Sequence, residues 1–377
     1  MIPLNKCNYS DKSIKNIIKT FENNHQTGDG PFTQKCMDFF FTKYNLKNTF
    51  FTTSGTHALE MMAMILKIKS GDEIIMPTYT FVSSANAFAK FGGKPIFIDS
   101  LHSNPNMDDN LIESKISSKT RAILIVHYGG WTCNIEKVVL LCKKYNLLLL
   151  EDAAQSINHY YNGQILGSFG DLSAMSFHGT KIAGCGEGGM LIVNNDLYRH
   201  DAEIIREKGT NLKDYYAGKV PYYEWITTGS SYLLSDINAA YLLPQLENID
   251  LLIDNRKSLW MAYYQNIKDS ADYKKCPLQD SSSNFYIFYL KFKDRNIMNY
   301  YRNILKENGI SSAPHFTCLH KSPYYTKNYP DNFETFENAE KFELILRLPL
   351  YNSMEMDKVF QISYVINNIA YCEEIHK

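Results

Sequence analysis

The run Leu147-Leu148-Leu149-Leu150-Glu151-Asp152-Ala153-Ala154-Gln155 leads on to Ser176-Phe177-His178-Gly179-Thr180-Lys181 and Gly186-Glu187-Gly188-Gly189, and this stretch decides the fold. Four consecutive leucines form the unbroken apolar run of a strand covered on both faces of a parallel sheet. The run stops at Glu151-Asp152, and small Ala153-Ala154 follow. In open α/β sheets ligands bind beyond the carboxyl ends of the strands, which is where Asp152 falls. Leu172 to Phe177 alternates like a second strand, opens into a loop of small residues, and gives way to a third strand, Met190 to Val193. Lys181 stands in that loop with no acid close in sequence. Poor solvation there favours the neutral amine, which suits a lysine that forms a Schiff base. Taken singly, these features are a solvated lysine, a helix cap and a tight turn. Their combination is far more specific.

Upstream, Thr49 to Thr52 reads as a short strand, and Thr53-Ser54-Gly55-Thr56 leads into a helix, His57 to Lys67, that is apolar nearly all round and therefore buried. A strand, a small polar turn and a helix N-terminus together make an anion site, because free N–H groups and the positive end of the dipole point at one spot. Strands over Glu73–Met76, Pro95–Ile98 and Ala122–Val126 alternate with helices over Val82–Lys90, Asp108–Lys115 and Ile135–Tyr145. Such β-α-β-α order predicts a parallel sheet with helices on both faces. No G-x-G-x-x-G follows the first strand, which counts against a nicotinamide enzyme.

At the N-terminus, Ser13 to Asn24 has helical spacing with Ile14, Ile17, Ile18 and Phe21 on one face; Gly28-Asp29-Gly30-Pro31 breaks it, and a second helix runs from Gln34 to Tyr44. In the C-terminal half a long helix, Ile237 to Ile267, is expected to bend at Pro244. A strand (Phe285–Phe292) and helices over Asn296–Glu307, Asn338–Leu346 and Met356–Ala370 follow. Strands grouped with helices after the parallel part imply a separate α+β domain. The expected division is a large domain over 1–245 and a small one over 246–377.

The 377 residues carry 39 Lys plus Arg against 40 Asp plus Glu, so nothing in the charge points to nucleic acid or a membrane surface. Met1-Ile2-Pro3-Leu4-Asn5-Lys6 is not a signal peptide, and no apolar run approaches the ~20 residues a membrane helix requires. The eight cysteines, Cys372 among them, are scattered without CxxC spacing. They read as reduced thiols of a cytoplasmic protein, neither a disulfide frame nor a metal site. The 27 tyrosines fit a substrate bearing rings.

Glu-Asp-Ala-Ala-Gln, Ser-Phe-His-x-Thr-Lys and Gly-Glu-Gly-Gly, in that order, closely resemble the pyridoxal-phosphate nucleotide-sugar aminotransferases of the aspartate-aminotransferase fold (fold type I). That resemblance implies an α/β architecture with a mainly parallel seven-stranded sheet in the large domain, and pyridoxal 5'-phosphate as cofactor. It implies that Lys181 carries the cofactor, Asp152 pairs with the pyridine nitrogen, Gln155 lies near the ring hydroxyl, and Gly55, Thr56 and Ser176 hold the phosphate. A carboxylate on the ring nitrogen keeps it protonated, and a protonated ring is the electron sink the chemistry needs. Phe81 takes the position that stacks on the ring, with Tyr79 two residues away.

Gly28–Thr33, Glu203–Asn211 and Gly229–Tyr241 resemble the subgroup making 4-amino-4,6-dideoxygalactose nucleotides. In that subgroup the last block crosses a homodimer interface, and the position of Ser231, where many relatives have Asn, helps hold the partner's phosphate. Gly28 and Asp29 would border the substrate, and His315 and His320 could approach it or serve structure alone. The implied reaction moves the amino group of L-glutamate to carbon 4 of a dTDP-4-keto-6-deoxyhexose for surface polysaccharide. Amination at carbon 3, the gluco epimer, a non-catalytic cofactor-binding sensor and a plain α/β binding domain stand as alternatives. A sugar dehydratase of this fold usually has histidine where Lys181 stands.

Overall fold

The structure, a computed structural model, describes residues 1–331 and 334–369. Its strands in chain order are β1 (Thr49–Thr52), β2 (Glu73–Pro77), β3 (Lys94–Ile98), β4 (Thr120–Val126), β5 (Leu148–Asp152), β6 (Tyr160–Tyr161), β7 (Gln164–Ile165), β8 (Leu172–Ser176), β9 (Gly189–Val193), β10 (Tyr273–Lys275), β11 (Tyr289–Phe292) and β12 (Ile345–Arg347). Seven of them form one sheet in the order β1-β9-β8-β5-β4-β2-β3. Strand β9 is antiparallel to both neighbours, and every other adjacent pair is parallel. The result is the expected α/β fold, with a mixed seven-stranded sheet among helices.

The two faces of the sheet feed two cores. Ala122, Leu124 and Leu150 belong to one, with Met61, Met62 and Ile74. Ile123, Ile125 and Leu149 belong to the other, with Ile135, Val138 and Leu141. This is the period-two alternation of a strand buried on both sides. Because β5 runs through Asp152 rather than stopping before Glu151, the two acids inherit opposite faces: Glu151 follows Leu149 and Asp152 follows Leu150.

Several expected elements differ. The Asp108–Lys115 helix is reduced to a 3-10 turn, Glu113–Lys115. The long C-terminal helix is two, Asp236–Glu247 and Ile249–Asn266, and Pro244 lies inside the first without ending it. The interruption falls at Asn248, whose side-chain Nδ2 donates to the Pro244 carbonyl at 2.7 Å. That carbonyl would take the Asn248 backbone N–H in a continuous helix. Phe285 has a φ of +50°, and of the expected strand only Tyr289–Phe292 pairs in the sheet. The Asn338–Leu346 helix is cut to Glu337–Lys341 and a turn, because Ile345–Arg347 pairs antiparallel with β11. Pairing across a sheet overrides local helix preference there. The last helix is Met356–Asn367; Ala370 and Cys372 lie outside the described residues.

The first helix, Asp11–Glu22, reverses the expected orientation. Ser13, Asn16 and Thr20 are buried, while Ile14, Ile18 and Phe21 are exposed. Small polar side chains allow close approach to the helix Asp236–Glu247, where Ser13 Oγ donates to the Tyr241 carbonyl at 3.2 Å and Asn16 Nδ2 to that of Ala240 at 3.4 Å. Ile14, Ile18 and Phe21 of the expected stripe therefore face outward, while Ile17 is half-buried against the core. Among the described residues no helix is long and apolar enough to cross a membrane, Cys7, Cys36, Cys133, Cys142, Cys185, Cys276 and Cys318 are unbridged, and no cluster could hold a metal ion.

Candidate active site

One cavity of about 600 Å³ gathers residues from the carboxyl ends of β4, β5 and β8, from the helix that follows β1, and from the three-stranded sheet β10-β11-β12 with its adjoining loops. Asp152, Gln155, Ser176, Lys181, Gly55, Thr56, Phe81 and His315 all line it. Sequence separation among them is large, and parallel strands bring them together because each βα unit returns its carboxyl end to the same edge.

Asp152 is buried and held by two donors. Ser84 Oγ donates to Oδ2 at 2.6 Å, and the Ala154 N–H donates to Oδ1 at 3.1 Å. Each oxygen keeps a further lone pair for a ligand donor. Ser84 was not foreseen. It lies on the helix Val82–Ala89, one turn beyond Phe81, and that spacing was its only signal. Gln155 Oε1 accepts the Gly129 N–H at 2.9 Å, which fixes its amide at the cavity wall.

The helix Gly55–Ile65 begins at the cavity, capped by Ser54, whose Oγ accepts the His57 N–H at 3.1 Å. Its first N–H groups have no intrahelical partner, so an anion at Gly55 and Thr56 meets donors and the helix dipole together. A Cβ at Gly55 would come within 2.9 Å of Ser176 Cβ, so glycine lets the helix start and β8 close on each other. Thr56 Oγ1 is 2.8 Å from Ser83 Oγ.

Lys181 is half-buried, and its Nζ lies 5.3 Å from the centre of the Tyr286 ring. Among the described residues no acid pairs with it. Phe81 is 55% exposed and faces the cavity, 5.9 Å from Phe316. Tyr79 is buried beneath it, packed on Tyr128 at 5.6 Å, so the structure separates two aromatics that sequence spacing could confuse. These residues fit pyridoxal phosphate: a donor cradle for the phosphate, a buried carboxylate for the ring nitrogen, an aromatic face and an unpaired amine.

His315 lines the cavity, hydrogen-bonded to the Tyr128 hydroxyl and stacked on Phe316 with ring centres 3.8 Å apart. Burial, then the charges of Arg347 and Lys181, push its pKa well below the ordinary histidine value, so it is neutral. His320 does not line the cavity. Its Nδ1 is 2.8 Å from Thr78 Oγ1 and its Nε2 is 3.2 Å from Glu340 Oε1, which is a structural role.

Gly28, Asp29 and Ser231 also lie off the cavity of their own chain. Asp29 pairs with Arg206 and with Lys213, the latter at 3.4 Å; burial raises its pKa, but these cations more than offset that and hold it below the usual carboxylate value. Gly28 bridges to Ser235, and Asp236 caps the next helix by accepting the N–H groups of Phe32 at 3.2 Å and Thr33 at 2.7 Å. The blocks Gly28–Thr33 and Gly229–Tyr241, distant in sequence, are thus one structural unit. Ser231 is exposed and bridges to Glu207; Tyr222, Tyr223 and Trp225 are exposed too.

A carboxylate and a lysine at neighbouring strand ends, with an anion cradle on the adjacent helix, define an enzyme that works through pyridoxal phosphate. The chain belongs to the DegT/DnrJ/EryC1/StrS aminotransferase family, whose model it matches over residues 8–369. It is 29% identical over 369 residues to the GDP-perosamine synthase of Escherichia coli O157:H7, covering 97% of this chain and 98% of that protein. It is also 29% identical over 376 residues to an uncharacterized protein of Methanocaldococcus jannaschii, covering 98% and 97%. Among solved structures, Helicobacter pylori PseC, an aminotransferase involved in pseudoaminic acid biosynthesis, shares the fold with a TM-score of 0.89 at 22% identity, covering 97% of this chain and 98% of that one. A Streptococcus pneumoniae structure solved in PLP and PMP forms superposes with TM-scores of 0.84 and 0.87 at 21% and 22% identity, over 97% of this chain and 99% and 98% of those chains. The protein is an aminotransferase, and its cofactor is pyridoxal phosphate.

Proposed function

We propose that this aminotransferase moves the amino group of L-glutamate to carbon 4 of dTDP-4-keto-6-deoxyglucose, giving dTDP-4-amino-4,6-dideoxygalactose for a surface polysaccharide. The observation that carries the reaction class is the meeting of Lys181 and Asp152 in one cavity with the helix start at Gly55. The bound cofactor supplies the electron sink. Asp152, oriented by Ser84 and Ala154, would present its carboxylate to the ring nitrogen. Lys181 Nζ takes the proton from the amino acid's α-carbon and, in the second half of the cycle, delivers one to carbon 4 of the sugar. Phe81 and Phe316 help exclude water from the cavity. The matches at Gly28–Thr33, Glu203–Asn211 and Gly229–Tyr241 support the dTDP sugar.

A second reading takes a GDP-linked keto-sugar in place of the dTDP-linked one. The relative named GDP-perosamine synthase favours a GDP-linked substrate. Mass spectrometry of products from a panel of keto-sugar nucleotides, with glutamate and cofactor, tests both. In the proton NMR of the product, a small coupling between the protons on carbons 3 and 4 is expected. A large coupling would mean the gluco epimer, and amination at carbon 3 would overturn substrate and product together.

The working form in this reading is a cytoplasmic homodimer with shared sites, each chain divided into 1–245 and 246–377. The break at Asn248 supports that division. Exposed Ile14, Ile18, Phe21, Tyr216 and Trp225 support a covering second copy, and the position of Ser231 outside its own cavity supports its service to the partner's phosphate.

A further inference from the structure

We infer that Asn5 recognises the sugar hydroxyl beside the ketone, an assignment that rests on the function proposed above. Asn5 lines the same cavity as Lys181, although the two are far apart in the chain. It belongs to a strap, residues 2–8, that is held on both sides. On one side Ile2 is buried and pairs in parallel with Ile310. Its N–H donates to the Gly309 carbonyl at 2.7 Å, and its carbonyl accepts the Ser311 N–H at 2.9 Å. Leu350, just beyond β12, donates its N–H to the Leu4 carbonyl at 3.2 Å. On the other side the Tyr241 hydroxyl donates to the Asn8 carbonyl at 2.8 Å. The helix Asp11–Glu22 then packs on the helix Asp236–Glu247, which carries Tyr241.

Between these anchors Asn5, Lys6 and Cys7 are exposed. Cys7 rests on the loop that carries Lys181, since a Cβ at Gly179 would come within 3.0 Å of Cys7 Sγ. The backbone of Asn5 is thus fixed from both directions, while its side chain is not engaged. Among the described residues its amide has no hydrogen-bond partner. The other amide of the cavity, Gln155, already spends its oxygen on the Gly129 N–H. Asn5 therefore offers a free donor and a free acceptor at the cavity wall, with little backbone ordering left to lose on binding.

The choice of ligand group follows from position and chemistry. Asn5 and Tyr286 border one cleft, and the Tyr286 ring lies 5.3 Å from Lys181 Nζ, which puts Asn5 on the side of the reacting carbon. In a 4-keto-6-deoxyhexose, carbon 4 is flanked by carbon 5, which bears the methyl group and the ring oxygen, and by carbon 3, which bears a hydroxyl. That hydroxyl is the one beside the ketone. It both gives and accepts a hydrogen bond, and an amide answers both. Glutamate brings an ammonium and two carboxylates, each of which would use only one half of the amide. The cofactor phosphate has its own cradle at Gly55, Thr56 and Ser176. Asn5 is accordingly a specificity residue for the second half-reaction.

The test follows the two half-reactions separately in the holoenzyme by the absorbance change between the pyridoxal and pyridoxamine forms. The variants are Asn5→Ala, Tyr241→Phe and the two combined, and the acceptors are dTDP-4-keto-6-deoxyglucose and its 3-deoxy analogue. Asn5→Ala should weaken the apparent affinity of the pyridoxamine form for the natural acceptor about 3- to 10-fold, the range for one neutral hydrogen bond, and leave conversion by glutamate within about twofold. The wild type should prefer the natural acceptor to the 3-deoxy analogue, and Asn5→Ala should lose that preference, a ratio that general damage to the fold would not collapse. Tyr241→Phe, which frees the Asn8 carbonyl, should give a smaller loss in the same half-reaction and add nothing to Asn5→Ala. Unchanged sugar dependence, equal loss in both half-reactions, loss confined to the glutamate half, a preference that survives Asn5→Ala, or full additivity in the double variant would each overturn the assignment while the proposed function stands. A wild-type pyridoxamine form that dTDP-4-keto-6-deoxyglucose does not discharge would overturn the proposed function, and this assignment with it.

Discussion

Replacing Glu151 with glutamine tests how the sheet edge that carries Asp152 is held. Five donors converge on this buried carboxylate. Phe169 N–H, Gly170 N–H and Ser173 Oγ lie 2.7, 2.6 and 3.0 Å from Oε1, and Gly167 N–H and His127 Nε2 each lie 2.8 Å from Oε2. They tie the segment 167–173 to β5 and so position β8, which ends at Ser176. In Glu151→Gln the amide oxygen can keep the three donors of Oε1. The new NH₂ then faces the Gly167 N–H, donor against donor, while His127 can change tautomer and accept. One charge-assisted bond is lost, a buried N–H is left without an acceptor, and three bonds lose their charge. The sum is about 2–4 kcal/mol of stability. Urea denaturation of both proteins at neutral pH measures it from the midpoints and slopes. A pH series adds the sign. Burial pushes the Glu151 pKa up, but His127, Gly170 and Gly167 more than offset this, and the carboxyl sits below its ordinary value. Its stabilisation is therefore complete above the ordinary carboxylate pKa and is lost as pH falls through the folded value. The gap between wild type and variant should narrow in acid. A difference below about 0.5 kcal/mol at neutral pH, the scale of an unremarkable surface change, would refute the reasoning, as would a gap that widens in acid.

Lys181→Ala should bind the cofactor without covalent attachment and show no transamination; borohydride reduction and peptide mapping of the wild type should place the pyridoxyl adduct on Lys181, and an adduct on another lysine would end the assignment. Asp152→Ala should weaken cofactor binding by roughly 1.5–3 kcal/mol, one charge-assisted hydrogen bond, and should lower the rate by more, because the interaction strengthens as charge develops. Equal losses in affinity and rate would contradict a role at the ring nitrogen. Mixing Lys181→Ala subunits with subunits inactivated by Ser231→Glu should restore activity through one intact site per heterodimer, and a fully active monomer in analytical ultracentrifugation would exclude shared sites.

Local sequence determined the sheet and the chemistry at its centre. An apolar run four residues long, ended by acids and small residues and set in a β-α-β-α order, reads as a parallel strand, and the loop that carries Lys181 follows β8, whose carboxyl end lies beside that of β5. Asp152, Lys181 and Gly55 were legible for that reason, since each depends on its own neighbours in the chain. The tertiary structure decided what depends on distant ones. Ser84 and Asp152 are 68 residues apart, and only the packing of the helix Val82–Ala89 beside β5 joins them. Glu151 and Asp152 took opposite faces because the strand extends to its last acid. Helix periodicity identified the Asp11–Glu22 helix, but its partner's need for close approach turned the small polar side inward. Ile345–Arg347 became strand because β11 offered unpaired backbone, and that pairing is what sets Arg347 in the cavity wall. A charged residue inside Leu346-Arg347-Leu348-Pro349-Leu350 was visible in the sequence; the absence of any acid to meet it became visible only once the chain was folded.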